Sequence, residues 1–289
     1  MSEPVVFRST AEMRSWSRTR KALGESIGFV PTMGALHDGH ASLLRLARER
    51  TRTVVLSIFV NPTQFGPGED FERYPRTWDS DLAIAGREGV AAVFAPGPDF
   101  YPKDYRTLVT VPGWKDTWEG AIRPGHFDGV ASVVAKLFHA VECDLAVFGQ
   151  KDAQQALVLR RMVEDLDFPV KMVIAPILRE ADGLAMSSRN RYLSPAERMR
   201  SLVLSRALLA TALQWEAGER SPEVLLSHGR KILATEPPDS IDYFSLLDPR
   251  TLECLDSTER LKGPALLMAA ARYGTTRLLD NTALGEVWD

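Results

Sequence analysis

The sequence predicts an α/β protein in which a doubly wound parallel sheet is followed by a smaller α+β domain. Three observations carry this expectation. Short apolar runs alternate with segments of helical rhythm as far as about residue 176, the signature of successive βα units. Most of those runs are continuous and do not alternate in polarity, as parallel strands buried on both faces require. Beyond Pro176 the order changes to two helical patterns and then three strand patterns. The expected domains are therefore 1–177 and a C-terminal lid domain, 178–289.

In chain order, strands are expected at Ile27–Val30, Thr53–Val60, Ala91–Ala95, Asp144–Phe148 and Val170–Ala175. Helices are expected between them at His40–Arg50, Asp79–Glu88, Val130–Val141 and Asp152–Leu166. The last carries Leu157, Val158, Arg161, Met162 and Asp165 in a rhythm of about 3.6 residues. The second domain is expected to hold helices at Pro195–Trp215 and Ser221–Thr235, the first marked by Leu202, Leu204, Leu208, Leu209 and Leu213. Strands follow at Ile241–Leu247, Ala265–Ala270 and Thr276–Leu279. Right-handed crossovers in such a sheet place ligands at the carboxyl ends of the strands, so the polar clusters there are the first places to look for chemistry.

Composition narrows the function classes. A net charge of −3 argues against a dedicated nucleic-acid binder. No apolar stretch approaches the roughly 18 residues of a membrane span. The start, MSEPVVFRST, lacks a basic region followed by an apolar core, so no secretory signal is expected. Cys143 and Cys254 are too few and too distant for a disulfide framework, which leaves free thiols in a cytoplasmic protein.

Four clusters lie just past expected strands or at the start of the second domain. The first is HDGH, His37 to His40. A helix beginning near His40 would offer free backbone N–H groups and a positive dipole end to an anion, with Gly34 and Gly39 leaving room for a ligand. Taken alone, the bare pair favours two surface histidines in a turn, and a zinc site lacks a third ligand nearby. The second cluster runs from Asn61-Pro62-Thr63-Gln64 to Asp79 and Asp81. Gln64 can donate and accept at once, and the aspartates either approach a magnesium ion through water or, more simply, cap the following helix. The third is GQKDAQQ, Gly149 to Gln155, where Lys151 is a point charge for a phosphate and Asp152 a helix cap or a partner for a ribose hydroxyl. The fourth, Arg179 to Leu193, packs Ser187, Ser188, Arg189 and Asn190 into one polar loop whose donors suit an anion. GAIRPGHF has P-loop glycine spacing, but His126-Phe127 replaces the Lys-Ser/Thr pair, so it is not a Walker A motif.

HDGH resembles the H-x-G-H signature of the nucleotidylyltransferase superfamily, and AMSSRN is similar to its second, mobile loop. The strings VPTMGALHDGH, SIFVNPTQF, RYPRT, RPGHFDGV, FGQKDAQQ and DGLAMSSRNRYL, in order through residues 28–193, closely resemble the pantothenate synthetase (pantoate–β-alanine ligase) family. The chain departs from that pattern at Gln150, where many members carry Glu, while Lys151 and Asp152 remain. The resemblance implies a Rossmann-like domain of the HxGH type that joins pantoate to β-alanine at the expense of ATP, through pantoyl adenylate. By position it assigns the ATP substrate to Met33, Gly34, Ala35, Leu36, His37, Asp38, Gly39 and His40, to Gly149, Gln150, Lys151 and Asp152, and to Leu178, Met186, Ser187, Ser188 and Arg189. His40, aligned with the family's proton donor, and His37, Lys151 and Arg189 carry the catalytic roles. Gln64 and Gln155 hold pantoate, and Gln64 also lies near β-alanine. Asp81 is assigned to Mg2+, and Arg123 faces the substrate cavity. Small-molecule substrates and a homodimer are implied, with neither nucleic acid nor membrane as partner. The rivals are another nucleotidylyltransferase, which would lack the paired glutamine segments, a class I aminoacyl-tRNA synthetase fragment, and a nucleotide sensor without turnover.

Overall fold

The computed structural model describes residues 3–288. Internal packing divides the chain into two units, one comprising residues up to 149 with 154–175, the other 150–153 with residues from 176 onward. In the first unit the elements run β1 (Val5–Phe7), α1 (Thr10–Ala22), β2 (Ile27–Thr32), α2 (Asp38–Arg50), β3 (Thr53–Ile58), α3 (Trp78–Arg87) and β4 (Ala92–Phe94). They continue with the single turn α4 (Glu119–Ile122), then α5 (His126–Val141), β5 (Leu145–Gly149), α6 (Ala153–Asp165) and β6 (Lys171–Ala175). The six strands are all parallel and lie in the order β1-β4-β3-β2-β5-β6.

Successive residues of a strand face opposite sides, and the continuous apolar runs supply a core on each. On one side Ile27 and Phe29 of β2 pack with Met13 of α1 and Phe138 of α5, the two phenyl rings meeting edge to face at 6.4 Å. On the other side Val30 packs with Leu44 and Ala47 of α2 and Ala85 of α3. The sheet is therefore doubly wound. Strand order reverses between β2 and β5, whose carboxyl ends carry Met33 and Gly149, the place where such sheets receive ligands.

Three elements near the start of the chain, β1, α1 and α2, differ from the sequence reading. β1 and α1 precede the first expected strand; β1 is only three residues long and pairs at the sheet edge with β4, so its periodicity is too short to register. Helix α2 begins at Asp38 and not at His40, because His37 caps it.

The second unit contains α7 (Pro195–Glu216), α8 (Pro222–Leu233), β7 (Ser240–Leu247), β8 (Ala265–Tyr273) and β9 (Thr276–Leu284), the strands forming an antiparallel sheet in that order. Ser194 and Glu197 close a reciprocal capping box at the start of α7. Leu204 and Leu208 of α7, Leu225 of α8, Phe244, Leu267 and Tyr273 form its core. Strand β9 runs five residues past the expected end at Leu279, through Asp280 and Asn281, which are buried although both residue types are disfavoured in strands. No helix among the described residues is long and apolar enough to cross a membrane, and both cysteines are free thiols.

Candidate active site

The corner between β2 and α2 is a turn of unusual backbone. Gly34 and Ala35 are consecutive residues in the left-handed region, at φ of 84° and 51°. Gly34 is required twice over: its φ favours glycine, and a Cβ there would lie 2.9 Å from an oxygen of Asp81. Such a turn points successive N–H groups to one spot, a concavity that attracts an anion. Asp81 fills it. Its Oδ2 accepts from Ala35 N–H at 3.0 Å and its Oδ1 from Leu36 N–H at 2.8 Å and from the Thr77 hydroxyl at 3.0 Å. Thr32 supports the same turn, accepting from Gly34 N–H at 3.2 Å and donating to the Ser57 carbonyl.

The turn delivers the two histidines. His37 Nδ1 accepts from Gly39 N–H at 3.1 Å, and His40 Nδ1 accepts from His37 N–H at 3.3 Å. An Nδ1 that accepts places the ring proton on Nε2 in the neutral tautomer, so each imidazole is oriented as an Nε2–H donor. The ring centroids are 4.1 Å apart, which concentrates two donors in one place at the start of a thirteen-residue helix. Bare H-x-x-H read alone favours a surface turn; here the histidines form the helix cap itself.

The expected magnesium role of Asp81 does not fit this arrangement. The side chain is 1% exposed and both oxygens are occupied by hydrogen-bond donors. Helix capping does not describe it either, since the N-cap position is Thr77. Among the described residues no cluster of three or more His, Cys, Asp or Glu side chains is arranged to hold a metal ion.

Beyond the end of β3, Gln64 is buried and clamped. Its Oε1 accepts from Asn61 Nδ2 at 3.0 Å, while its Nε2 lies 3.2 Å from Met33 Sδ, joining the pantoate candidate to the first residue of the loop expected to meet ATP. Asn61 also donates to the Gly129 carbonyl at 3.2 Å. Helix α5 can come this close because Gly129 has no side chain; a Cβ would sit 2.3 Å from the Thr63 carbonyl oxygen. His126 Nδ1 lies 2.9 Å from the Gln64 carbonyl, and its Nε2 is 3.0 Å from Arg123 Nη1. Arg123 in turn forms a two-point fork with Glu69, both distances 2.7 Å. Burial pushes the Glu69 carboxyl up, but Arg123's hydrogen bonds and charge outweigh it and hold it below the ordinary range. The expected substrate-facing Arg123 is thus part of a chain that steadies the Gln64 loop.

The adjacent Gln154 and Gln155 have different surroundings. Gln154 is buried and holds the 114–119 segment, accepting from Glu119 N–H and donating to the Trp114 and Thr117 carbonyls. Gln155 is half-buried.

In the second unit Lys151 lies 3.3 Å from Asp152, in the short segment that follows β5. Ser187 Oγ accepts from Arg189 N–H at 3.2 Å and starts the turn Ser188–Tyr192. Met186 N–H donates to the Leu178 carbonyl at 3.0 Å, so the carbonyl of Leu178 serves the hairpin. Lys151, Ser187, Arg189 and Asn190 line one small cavity together with Asp280 of β9. The sequence reading does not include Asp280 or Asn281; the sole signal is two polar residues following an apolar run.

Comparison with known proteins agrees with this picture. The family model for pantoate–β-alanine ligase matches residues 5–283. A pantothenate synthetase from Acidobacterium capsulatum is 57% identical over 262 residues, covering 90% of this chain and 87% of that protein. One from Koribacter versatilis is 50% identical, covering 96% of this chain and 95% of that protein. The crystal structure of pantothenate synthetase from Thermus thermophilus superposes with a TM-score of 0.88 at 45% identity, over 99% of this chain and all of that one. A pantoate–β-alanine ligase from Francisella tularensis, solved in complex with beta-gamma ATP and β-alanine, gives a TM-score of 0.75 at 28% identity over 98% of each chain.

Proposed function

The chain belongs to the pantoate–β-alanine ligase family, and on that premise we propose that it condenses pantoate with β-alanine to give pantothenate, converting ATP to AMP and pyrophosphate. The pantoate carboxylate attacks the α-phosphorus and pyrophosphate leaves. The β-alanine amine then attacks the acyl carbon of pantoyl adenylate and AMP leaves. Carboxylate and triphosphate repel, so the protein has to screen charge and align the attack; it needs no nucleophile of its own.

The observation that carries the reading is the histidine cap of α2, two Nε2–H donors preset by Nδ1 atoms that accept from backbone N–H groups, at the point where strand order reverses. His40 and His37 meet the negative charge that grows on the leaving pyrophosphate. The loop Met33–Gly39, its shape fixed by Asp81, Thr32 and the two histidines, lines the nucleotide. Lys151 and Arg189 add positive charge, and Gly149, Gln150, Asp152, Leu178, Met186, Ser187 and Ser188 complete the ATP contacts. Gln64 and Gln155 orient pantoate, and Gln64 also lies near β-alanine. Magnesium is assigned no protein ligand, because the geometry of Asp81 commits it to the loop. The same reading makes the protein a cytoplasmic homodimer, checked by sedimentation and by fractionation.

The decisive assay follows pyrophosphate release from ATP with and without pantoate, then AMP formation once β-alanine is added. Release that depends on pantoate, followed by amine-dependent AMP, supports the reading. Turnover independent of pantoate, or none with all three substrates present, sinks it.

A further inference from the structure

Two segments that the proposed function gives to the nucleotide, 150–152 and 178–189, are held by one pair of neighbouring residues in β9. Asn281 is 3% exposed, and its whole amide is used on the first segment. Its Nδ2 donates to the carbonyls of Gln150 at 2.9 Å and Lys151 at 3.1 Å, and its Oδ1 accepts from Gln150 Nε2 at 3.1 Å. Asp280 is 4% exposed and serves the second segment. Its two oxygens take the guanidinium fork of Arg179 at 2.7 and 3.0 Å, and Oδ1 also accepts the N–H of Asn281 at 2.8 Å. Arg179 passes the constraint on, donating to the Gly183 carbonyl at 3.2 Å and bridging to Ala185, just before Met186 and Ser187.

Buried polar groups cost stability unless they are fully paired, and a core strand gains more from apolar residues. Here the pairing goes almost wholly to loops outside the sheet. Adjacent residues of a strand point to opposite faces, so one strand can grip two loops at once. We infer that Asp280 and Asn281 are positioning residues of the nucleotide site: they set Lys151 and the Ser187–Arg189 turn in register before any ligand arrives. Neither touches the reacting atoms. The inference rests on the assignment of those two segments to ATP.

The test uses the full chain with Asn281→Asp and Asp280→Asn, which preserve side-chain size. The first replaces a donor by an acceptor opposite two carbonyl oxygens; the second removes the charge that Arg179 pairs with. Amide hydrogen exchange without ligand is expected to speed up about tenfold at 150–152 in Asn281→Asp and at 179–187 in Asp280→Asn, the scale of losing one strong hydrogen bond, while 33–40 stays unchanged. KM for ATP is expected to rise by a similar factor, with the calorimetric Kd for pantoate within about twofold of wild type. Arg179→Lys, which breaks the two-point fork on Asp280 without altering β9, is expected to loosen 179–187 alone and serves if a β9 variant does not fold. Exchange that is unchanged in these segments, or faster throughout the second unit alike, overturns the inference. The exchange readout needs no catalysis: localised loosening in a protein whose wild type releases no pyrophosphate keeps the clamp and discards the proposed function.

Discussion

The β2–α2 corner and the 178–189 loop are both assigned to ATP, yet they are braced at different ranges of sequence. In the corner, His37 and His40 are tied to the backbone within three residues, and the most distant brace, Asp81, is 46 residues from Ala35. In the second loop the brace is Asp280, 101 residues beyond Arg179, and its neighbour Asn281 reaches back 131 residues to Gln150. A locally closed corner can be read as a motif, whereas a loop tied to a distant strand shows only its own polar residues. Both depend on side-chain partners, the corner on Asp81, Thr32 and its own histidines and the loop on Arg179, but the corner also turns through Gly34 and Ala35 at positive φ.

The sharpest way to break this contrast is at the corner. His40→Ala is expected to lower the rate of pantoate-dependent pyrophosphate release by roughly 10²-fold or more, the scale of a positioned donor at developing charge. Because His40 Nδ1 also caps His37 N–H, a fall in stability of about 1 kcal/mol is expected alongside. Near-normal adenylation in the folded variant takes His40 out of the mechanism and reduces the corner to a helix cap.

Asp81→Asn comes next. It leaves one of two buried backbone N–H groups facing an amide in place of a carboxylate, at a cost of about 2 kcal/mol in denaturant unfolding. KM for ATP is expected to rise several-fold as the turn loosens. The Mg2+ concentration giving half-maximal activity is expected to stay at the wild-type value. A marked increase in that concentration with stability unchanged would restore the metal role and contradict the brace.

These contrasts explain what can be read from sequence. The buried strands announce themselves as apolar runs, since a strand covered on both faces tolerates little else, and β2, β3, β5 and β6 lie where those runs predict. α1 escapes the sequence reading although the Ser9 and Glu12 of its capping box stand at the expected spacing. The expected end of β9 at Leu279 is too early because Asp and Asn normally end strands; only their remote partners make them tolerable in the interior. Gln154 and Gln155 are the same residue type in adjacent places, and nothing in their spelling tells the scaffold glutamine from its half-buried neighbour. Asp81 reads as a metal ligand because a carboxylate in a first helical turn is ambiguous until its acceptor bonds are seen.

The Glu69–Arg123 fork, which steadies Gln64 by way of His126, tests a brace of intermediate reach. A carboxyl depressed on folding binds its proton less readily in the native state. Its contribution is therefore present above the ordinary value of 4.5 and is lost as pH falls through the lower folded value. Glu69 is about a quarter exposed, so solvent screening keeps the effect near 1 kcal/mol or less. Stability of Glu69→Gln is expected to fall less steeply than wild type between about pH 5 and pH 3, with the two curves closing toward each other in acid. Parallel curves over that range would mean that the fork contributes nothing beyond its geometry.

Gln150→Glu is expected to have the smallest effect, and it separates the side chain of Gln150 from its backbone. Glu cannot donate to Asn281 Oδ1 once ionised, so one neutral hydrogen bond of about 1 kcal/mol is lost. The bonds that place Lys151 run from Asn281 Nδ2 to the carbonyls of residues 150 and 151 and do not use that side chain. KM for ATP is therefore expected to change by no more than about twofold, and hydrogen exchange at Lys151 to stay near the wild-type rate. A tenfold rise in KM would mean that the amide pair, and not the two carbonyl contacts, sets the loop. The far brace would then depend on a residue type that Asn281 must match, which makes the 150–281 pairing a point where the two residues have to change together.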